Sequence, residues 1–258
     1  LLAFVAIVGL FGLCIGSFLN VVIVRVPAGR SVLRPRSACP GCETAIAWFD
    51  NVPVVSWLVL GGDCRRCGMR IPMRYPLVEA LTAALFALVA ALVGPVAVLP
   101  AVLAFVAGGV ALAVIDVDCF RLPTPIVFAT LGGVVGALVV AAVVEGEWAR
   151  LVGAALGGVV LFVSFAAIAV AVPRGMGWGD VRLSAVLGVL LGWFGAGFVA
   201  FGTLASFLIG SITGVVAAVA AGRVRRVRIP FGPSMIVGAL VAVLWGDPVL
   251  SWYSSSFA

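Results

Sequence analysis

The sequence predicts an all-α fold: a polytopic transmembrane helical bundle of about eight spans, with one small loop domain between the first two. Composition is the first observation behind this. Hydrophobic residues fill 64% of the 258 positions and charged residues only 10%, against about half and a quarter in soluble domains. Such an excess of apolar surface needs a lipid solvent. Segmentation is the second: apolar runs of roughly twenty residues, the length that crosses a hydrocarbon core as a helix, recur along the chain. The third is charge placement, because the arginines gather in the short gaps between those runs.

The predicted spans are 1–24, 77–94, 96–115, 125–144, 151–172, 181–193, 197–222 and 230–246. The first has no basic n-region and no small-residue cleavage site, so it reads as a span rather than a secretory signal. The run 181–222 is divided at GWFGAG (192–197), which leaves the sixth span short unless it tilts. The domains that follow are 1–24, a first helix; 25–76, the loop domain; 77–246, seven helices; and 247–258, a C-terminal tail.

All sixteen basic residues are arginine, and there is no histidine. His-based triads and His metal ligands are therefore excluded. The net charge of +6 does not point to nucleic acid, because these arginines orient a membrane protein. With eight spans, fifteen fall on one face: Arg25, Arg30, Arg34, Arg36, Arg65, Arg66, Arg70, Arg74, Arg121, Arg174, Arg182, Arg223, Arg225, Arg226 and Arg228. Only Arg150 falls on the other, beside Glu145 and Glu147. The positive-inside rule makes the rich face cytoplasmic and puts both termini outside.

The loop domain reads CPGC at 39–42 and CRRC at 64–67. Four thiolates in two close pairs suit one tetrahedral Zn²⁺, and four protein ligands close the site, so the metal is expected to be structural. The competing reading is two disulfides or redox-active C-x2-C pairs; a reducing cytoplasm argues against it. A loop this size with few large apolar side chains needs a staple, which makes the domain zinc-stapled. Cys14 and Cys119 read as packing residues.

A second constellation joins VIDVDCFRLPTP (114–125) to GMGWGD (175–180). Asp116 closes the third span and Asp180 opens the sixth. Two spans lie between them, so parity alone puts both on one face, which the cysteine loop shares. A carboxylate at a span is costly and is a functional candidate by default. The bland alternatives are an N-cap for Asp180 and a solvated loop position for Asp118. Gly175, Gly177 and Gly179 leave backbone bare beside Asp180 and allow close approach. Two carboxylates brought together do not both ionise readily. One then takes a proton from water while the other protonates or polarises a carbonyl, which is the arrangement for hydrolysing a peptide bond.

Taken in order, GSFLNVVIVRVP (16–27), the paired C-x2-C motifs, RYPLVEALTA (74–83), IDVDCFRLP (115–123), GMGWGDVRL (175–183) and IPFGPSM (229–235) resemble the bacterial type IV prepilin peptidases over nearly the whole chain. The resemblance implies Asp116 and Asp180 as the catalytic pair and Cys39, Cys42, Cys64 and Cys67 as the four loop cysteines. It implies an inner-membrane aspartyl endopeptidase that cleaves the positively charged leader of prepilins or pseudopilins after a glycine, on the cytoplasmic side. It also implies N-methylation of the new terminus, commonly phenylalanine, with S-adenosylmethionine as donor; no nucleotide fingerprint marks a donor site. Glu79, the sole acid at the start of the second span, offers a carboxylate for that step, although a helix-start carboxylate at the interface needs no such role. The chain departs from the family at Thr124 (often Asp), Arg182 (often Lys) and Glu43 (commonly Gly). Two other classes remain for comparison: a non-enzymatic assembly protein docking partners through its zinc loop, and an ion or proton transporter, which would favour carboxylates at mid-span.

Overall fold

A computed structural model describes residues 1–172, 175–220, 222 and 229–257, with the Phe257 side chain left out. Among these residues the regular structure is all helical, apart from two isolated β-bridges. The helices are α1 (Leu2–Arg25), α2 (Val55–Val59), α3 (Arg74–Val93), α4 (Leu99–Cys119), α5 (Thr124–Glu145), α6 (Trp148–Ala171), α7 (Trp178–Phe194), α8 (Ala196–Ala220) and α9 (Gly232–Phe257). A helix satisfies every backbone donor and acceptor within itself, which is what an apolar solvent demands. Seven of the nine are long and apolar enough to cross a membrane. The expected all-α polytopic architecture is met.

The expected sixth span is α7, which with 17 residues is the one expected span outside those seven. At 1.5 Å per residue it is about 25 Å long, at the lower limit for a span. It packs against α5, α6, α8 and α9, and Val181, Leu183, Val186, Leu190 and Leu191 are fully buried. A helix shielded by protein on all these sides has little lipid to match, so its shortness costs little. The turn predicted within 192–197 falls at Gly195, between α7 and α8.

The chain folds as two compact units, Leu1–Gly94 and Pro95–Ala258. In the first, α1 packs on α3 through glycines spaced one turn apart. A methyl added at Gly12 would lie 2.9 Å from the Ala83 Cα, and one at Gly16 would lie 2.7 Å from the Glu79 Cα. Small residues at this spacing let membrane helices meet backbone to backbone, where dispersion is the main attraction. The second expected span thus belongs with the first unit rather than with the later six. The C-terminus also differs from expectation: the residues read as a tail continue α9 to Phe257, through Pro248. Proline removes one hydrogen bond without forbidding helix on either side.

In the second unit α4, α7 and α9 carry the most buried side chains, among them Phe105, Leu112, Ile115 and Met235. The closest helix pair is α6 and α7. A methyl at Gly153 would meet the Gly192 carbonyl at 2.7 Å, and one at Gly188 would lie 2.8 Å from the Gly158 Cα. This double small-residue seam, absent from the sequence reading, fixes the helix that carries Asp180. Arg174, Arg223, Arg225, Arg226 and Arg228 lie outside the described residues, as does most of the expected 223–229 loop.

Candidate active site and metal centre

The last turn of α4 ends at Phe120, which adopts a left-handed cap (φ 53°) with its N–H on the Asp116 carbonyl at 2.8 Å. Pro123 and Pro125 then stop one helix and start the next. This short connection turns Leu122 inward, 9% exposed. Asp116 is itself 5% exposed. Its carboxylate accepts the Gly232 N–H at 3.1 Å, at the first residue of α9. The positive end of that helix dipole therefore faces the acid.

Asp180 stands in the first turn of α7. Its Oδ2 accepts the Gly177 N–H at 3.2 Å, while its own N–H donates to the Gly177 carbonyl at 3.0 Å. The sequence reading offered Asp180 as an N-cap; the structure makes Gly177 the cap and Asp180 the third residue, reaching back to it. The turns that bear Asp180 and Asp116's donor Gly232 close on one side chain, Leu122. Leu122 is the shared wall: a methyl at Gly179 would lie 3.0 Å from its Cβ, and one at Gly232 would lie 3.2 Å from its Cδ2. Ends of four segments thus converge: α4, the α4–α5 turn, α7 and α9.

The three glycines before Asp180 divide in role. Gly177 supplies a donor and Gly179 a close approach. Gly175 turns away, its N–H on the Val172 carbonyl at 2.8 Å. Asp118 is exposed, because in a continuing helix it points about 200° away from Asp116. Two residues escaped the sequence reading. Gly232 was quoted within IPFGPSM but given no role, although Gly-Pro before an apolar run signals a helix N-terminus with free donors. Leu122 had no signal beyond its place before a proline.

Two of the family departures meet each other. Arg182 donates from Nη1 to the Thr124 hydroxyl and from Nε to the Trp178 carbonyl at 3.0 Å. The side chain ties the first turn of α7 to the first residue of α5 with neutral partners.

In the first unit the cysteines form two equivalent knuckles. Bridges Ala38–Ala45 and Asp63–Arg70 close them. Cys39 N–H bonds Thr44 O at 3.0 Å and Glu43 N–H bonds Cys39 O at 2.8 Å; in the other knuckle Cys64 N–H bonds Met69 O and Gly68 N–H bonds Cys64 O, both at 2.9 Å. The four sulfurs lie within 4.8 Å of one another. The Cys39–Cys67 separation is 3.7 Å, whereas a tetrahedron with metal–sulfur bonds of about 2.3 Å has edges of about 3.8 Å. All four are free thiols, and the cluster can hold a metal ion. Hydrogen bonds from the Thr44 side chain and backbone bring the Cys42 thiol down to about 6. At Cys67 a hydrogen bond from the Met69 backbone pulls the same way, but burial and the neighbouring sulfurs outweigh it and push the thiol up to about 12. Four thiolates this close need a cation between them. Arg65 braces the second knuckle, its Nη2 2.6 Å from Asp50 Oδ1.

Glu79 is buried rather than interfacial, 8% exposed. Its Oε2 accepts the Val54 N–H at 2.7 Å, which holds the start of α2 on α3. Asn20 similarly donates to the Tyr75 carbonyl at 3.0 Å.

Comparison with known proteins finds matches that cover both regions. Residues 10–93 match the bacterial peptidase A24 N-terminal domain, and residues 103–219 match the type IV leader peptidase family. The chain is 33% identical over 248 residues to a prepilin leader peptidase/N-methyltransferase of Bacillus subtilis, covering 96% of this chain and 97% of that protein. It is 35% identical over 282 residues to the enzyme of the same name from Aeromonas hydrophila (98% and 94% covered). Its identity to the Pseudomonas aeruginosa enzyme is 35% over 280 residues (98% and 94% covered). No solved structure matches.

Proposed function

This chain belongs to the type IV leader peptidase family, and on that premise we propose that Asp116 and Asp180 are the pair with which it removes the leader of prepilins or pseudopilins. The observation that carries this is a buried aspartate held by a helix N-terminus, with the turn that bears a second aspartate packed on the same Leu122. Carboxylates so placed share a proton more readily than they both ionise. The ionised partner takes a proton from water, and the protonated one donates to the scissile carbonyl. Gly177 and Gly232 N–H groups steady the two carboxylates, and Leu122 packs against the turns that bear these donors.

The transporter reading asks for acids at mid-span. Asp116 lies in the last turn of α4 and Asp180 in the first turn of α7, so the observations favour hydrolysis at a membrane surface. The arginine distribution makes that surface cytoplasmic, in the inner membrane. The leader would lie there while the substrate's apolar helix stays in the bilayer, bringing the scissile bond to the depth of the carboxylates. Labelling of single cysteines tests the orientation: position 146 should react from outside and position 225 only from within. The opposite result at 225 would overturn the eight-span topology.

Cys39, Cys42, Cys64 and Cys67 would hold Zn²⁺, which neutralises the thiolates and staples the loop. N-methylation of the new terminus completes the activity; S-adenosylmethionine supplies the methyl group. Mass spectrometry of a co-expressed prepilin tests the whole reading, because it reports cleavage and methylation together. Unprocessed prepilin with wild-type protein would refute it.

A further inference from the structure

Away from the aspartates, a cavity of about 560 Å³ opens between α5, α6 and α7. Its walls are Val127, Phe128, Leu131, Phe162 and Ala185, and Trp178 and Arg182 stand at its mouth. Phe128 and Trp178 are more than half exposed, so the groove opens sideways, toward what is lipid for a spanning bundle. Leu131 is two turns into α5, about 10 Å from its start. The groove thus runs from a helix end into one leaflet, which is about 15 Å deep.

Two features decide its occupant. A guanidinium has five donors; Arg182 uses one on Thr124 and one on the Trp178 carbonyl. Both partners are neutral, and among the described residues no carboxylate pairs with Arg182. A positive charge at a membrane surface, with donors left, suits a phosphate whose headgroup brings no compensating cation. Size is the second feature. A helix is at least about 10 Å across, so a cavity of this volume would take only about 7 Å of one, little more than a turn. An alkyl chain about 5 Å wide and one leaflet deep needs about 300 Å³. The groove therefore suits the paired tails of a lipid rather than a peptide helix.

We propose that this groove is a binding site for a phospholipid with an anionic headgroup, its phosphate on Arg182 and its tails against Val127, Leu131 and Phe162. Trp178 and Arg182 bracket Asp180 within one turn of α7, so a lipid held there would stiffen the turn that presents the acid.

The test is native mass spectrometry of the full chain, extracted in detergent and given either phosphatidylglycerol or phosphatidylcholine. The wild type should retain one phosphatidylglycerol per chain, at least about fivefold more than phosphatidylcholine. Arg182→Gln should bring phosphatidylglycerol down to the phosphatidylcholine level, and Arg182→Lys should restore part of the difference. Ala185→Phe, which fills the groove, should lose both lipids. Val143→Phe, an exposed position at the far end of α5, should change neither. Circular dichroism checks that each variant is folded. Equal retention of the two lipids by the wild type would overturn the charge argument, and unchanged retention in Ala185→Phe would overturn the site. Neither readout depends on peptidase activity, so the proposal stands or falls apart from the catalytic one.

Discussion

In the cysteine cluster the first ligand of each pair, Cys39 or Cys64, is set by backbone hydrogen bonds to residues no more than five positions away, inside turns that run from 38 to 45 and from 63 to 70. In the aspartate site the donor to Asp116 is Gly232, 116 residues along the chain. Asp180 combines both habits, with a local partner in Gly177 and, through the adjacent Gly179, a long-range neighbour in Leu122. A local device needs only its own turn and a cation to form. A device built from the ends of several helices forms only when those helices have packed. The first can therefore be lost without the second, and the second is sensitive to changes far from either acid.

The largest expected effect separates the two regions cleanly. Asp116→Asn and Asp180→Asn should each lower prepilin cleavage by about a thousandfold or more, because a pair that divides acid and base roles fails when either half is lost. Bound metal should stay at one equivalent in both. Asp118→Asn should keep most of its activity, since that side chain is exposed on the other side of α4. Measurable cleavage by Asp180→Asn would break the catalytic assignment.

The reverse experiment comes next. Replacing Cys39 and Cys42 by Ser should take metal from one equivalent to none, by elemental analysis, and increase proteolysis within 38–70. The loss in cleavage should be smaller than for either aspartate, because both acids and their partners lie within the second unit. Loss of cleavage as deep as in Asp180→Asn would show that the two regions depend on each other.

This difference in construction also explains what could be read from sequence. C-x2-C spacing is a local signal, so the four cysteines and their clustering were legible. Span parity put Asp116 and Asp180 on one face, because it requires only a count of helices. Gly232 and Leu122 were not legible, since nothing near them in the chain announces a partner more than fifty residues away. The α6–α7 glycine seam was written as Gly153, Gly157, Gly188 and Gly192, yet which helices it joins depends on packing. The length of α9 was not legible either, because Pro248 sits inside the helix at the loss of one bond.

A methyl group sharpens the comparison further. Gly232→Ala would put a carbon 2.7 Å from Asp116 Oδ2, which must move the carboxylate or the start of α9. Displacement of about 1 Å at a reacting group costs up to a hundredfold, so cleavage should fall tenfold to a hundredfold. Metal content should not change. Full activity in Gly232→Ala would mean that the Asp116–Gly232 contact has no part in catalysis.

The smallest effect lies within the cysteine cluster itself, where the two knuckles differ at one corresponding position. Gly68 has φ 67° and Glu43 has φ 54°. Both follow the second cysteine of their pair and donate to the carbonyl of the first. The left-handed region costs a residue with a Cβ about 1–2 kcal/mol, while glycine loses about 0.5–1 kcal/mol of extra chain entropy on folding. Glu43→Gly should therefore favour the ordered knuckle by about 0.5–1 kcal/mol. Because ordering of such a loop is linked to metal binding, this amounts to about two- to fivefold tighter zinc in a chelator competition. Gly68→Glu should weaken zinc by a similar factor; nothing lies within 4 Å of the Cβ it would add, so torsion alone is being tested. If the two substitutions do not move the affinity in opposite directions, the knuckles are not equivalent, and some contact of the Glu43 side chain outweighs its backbone strain.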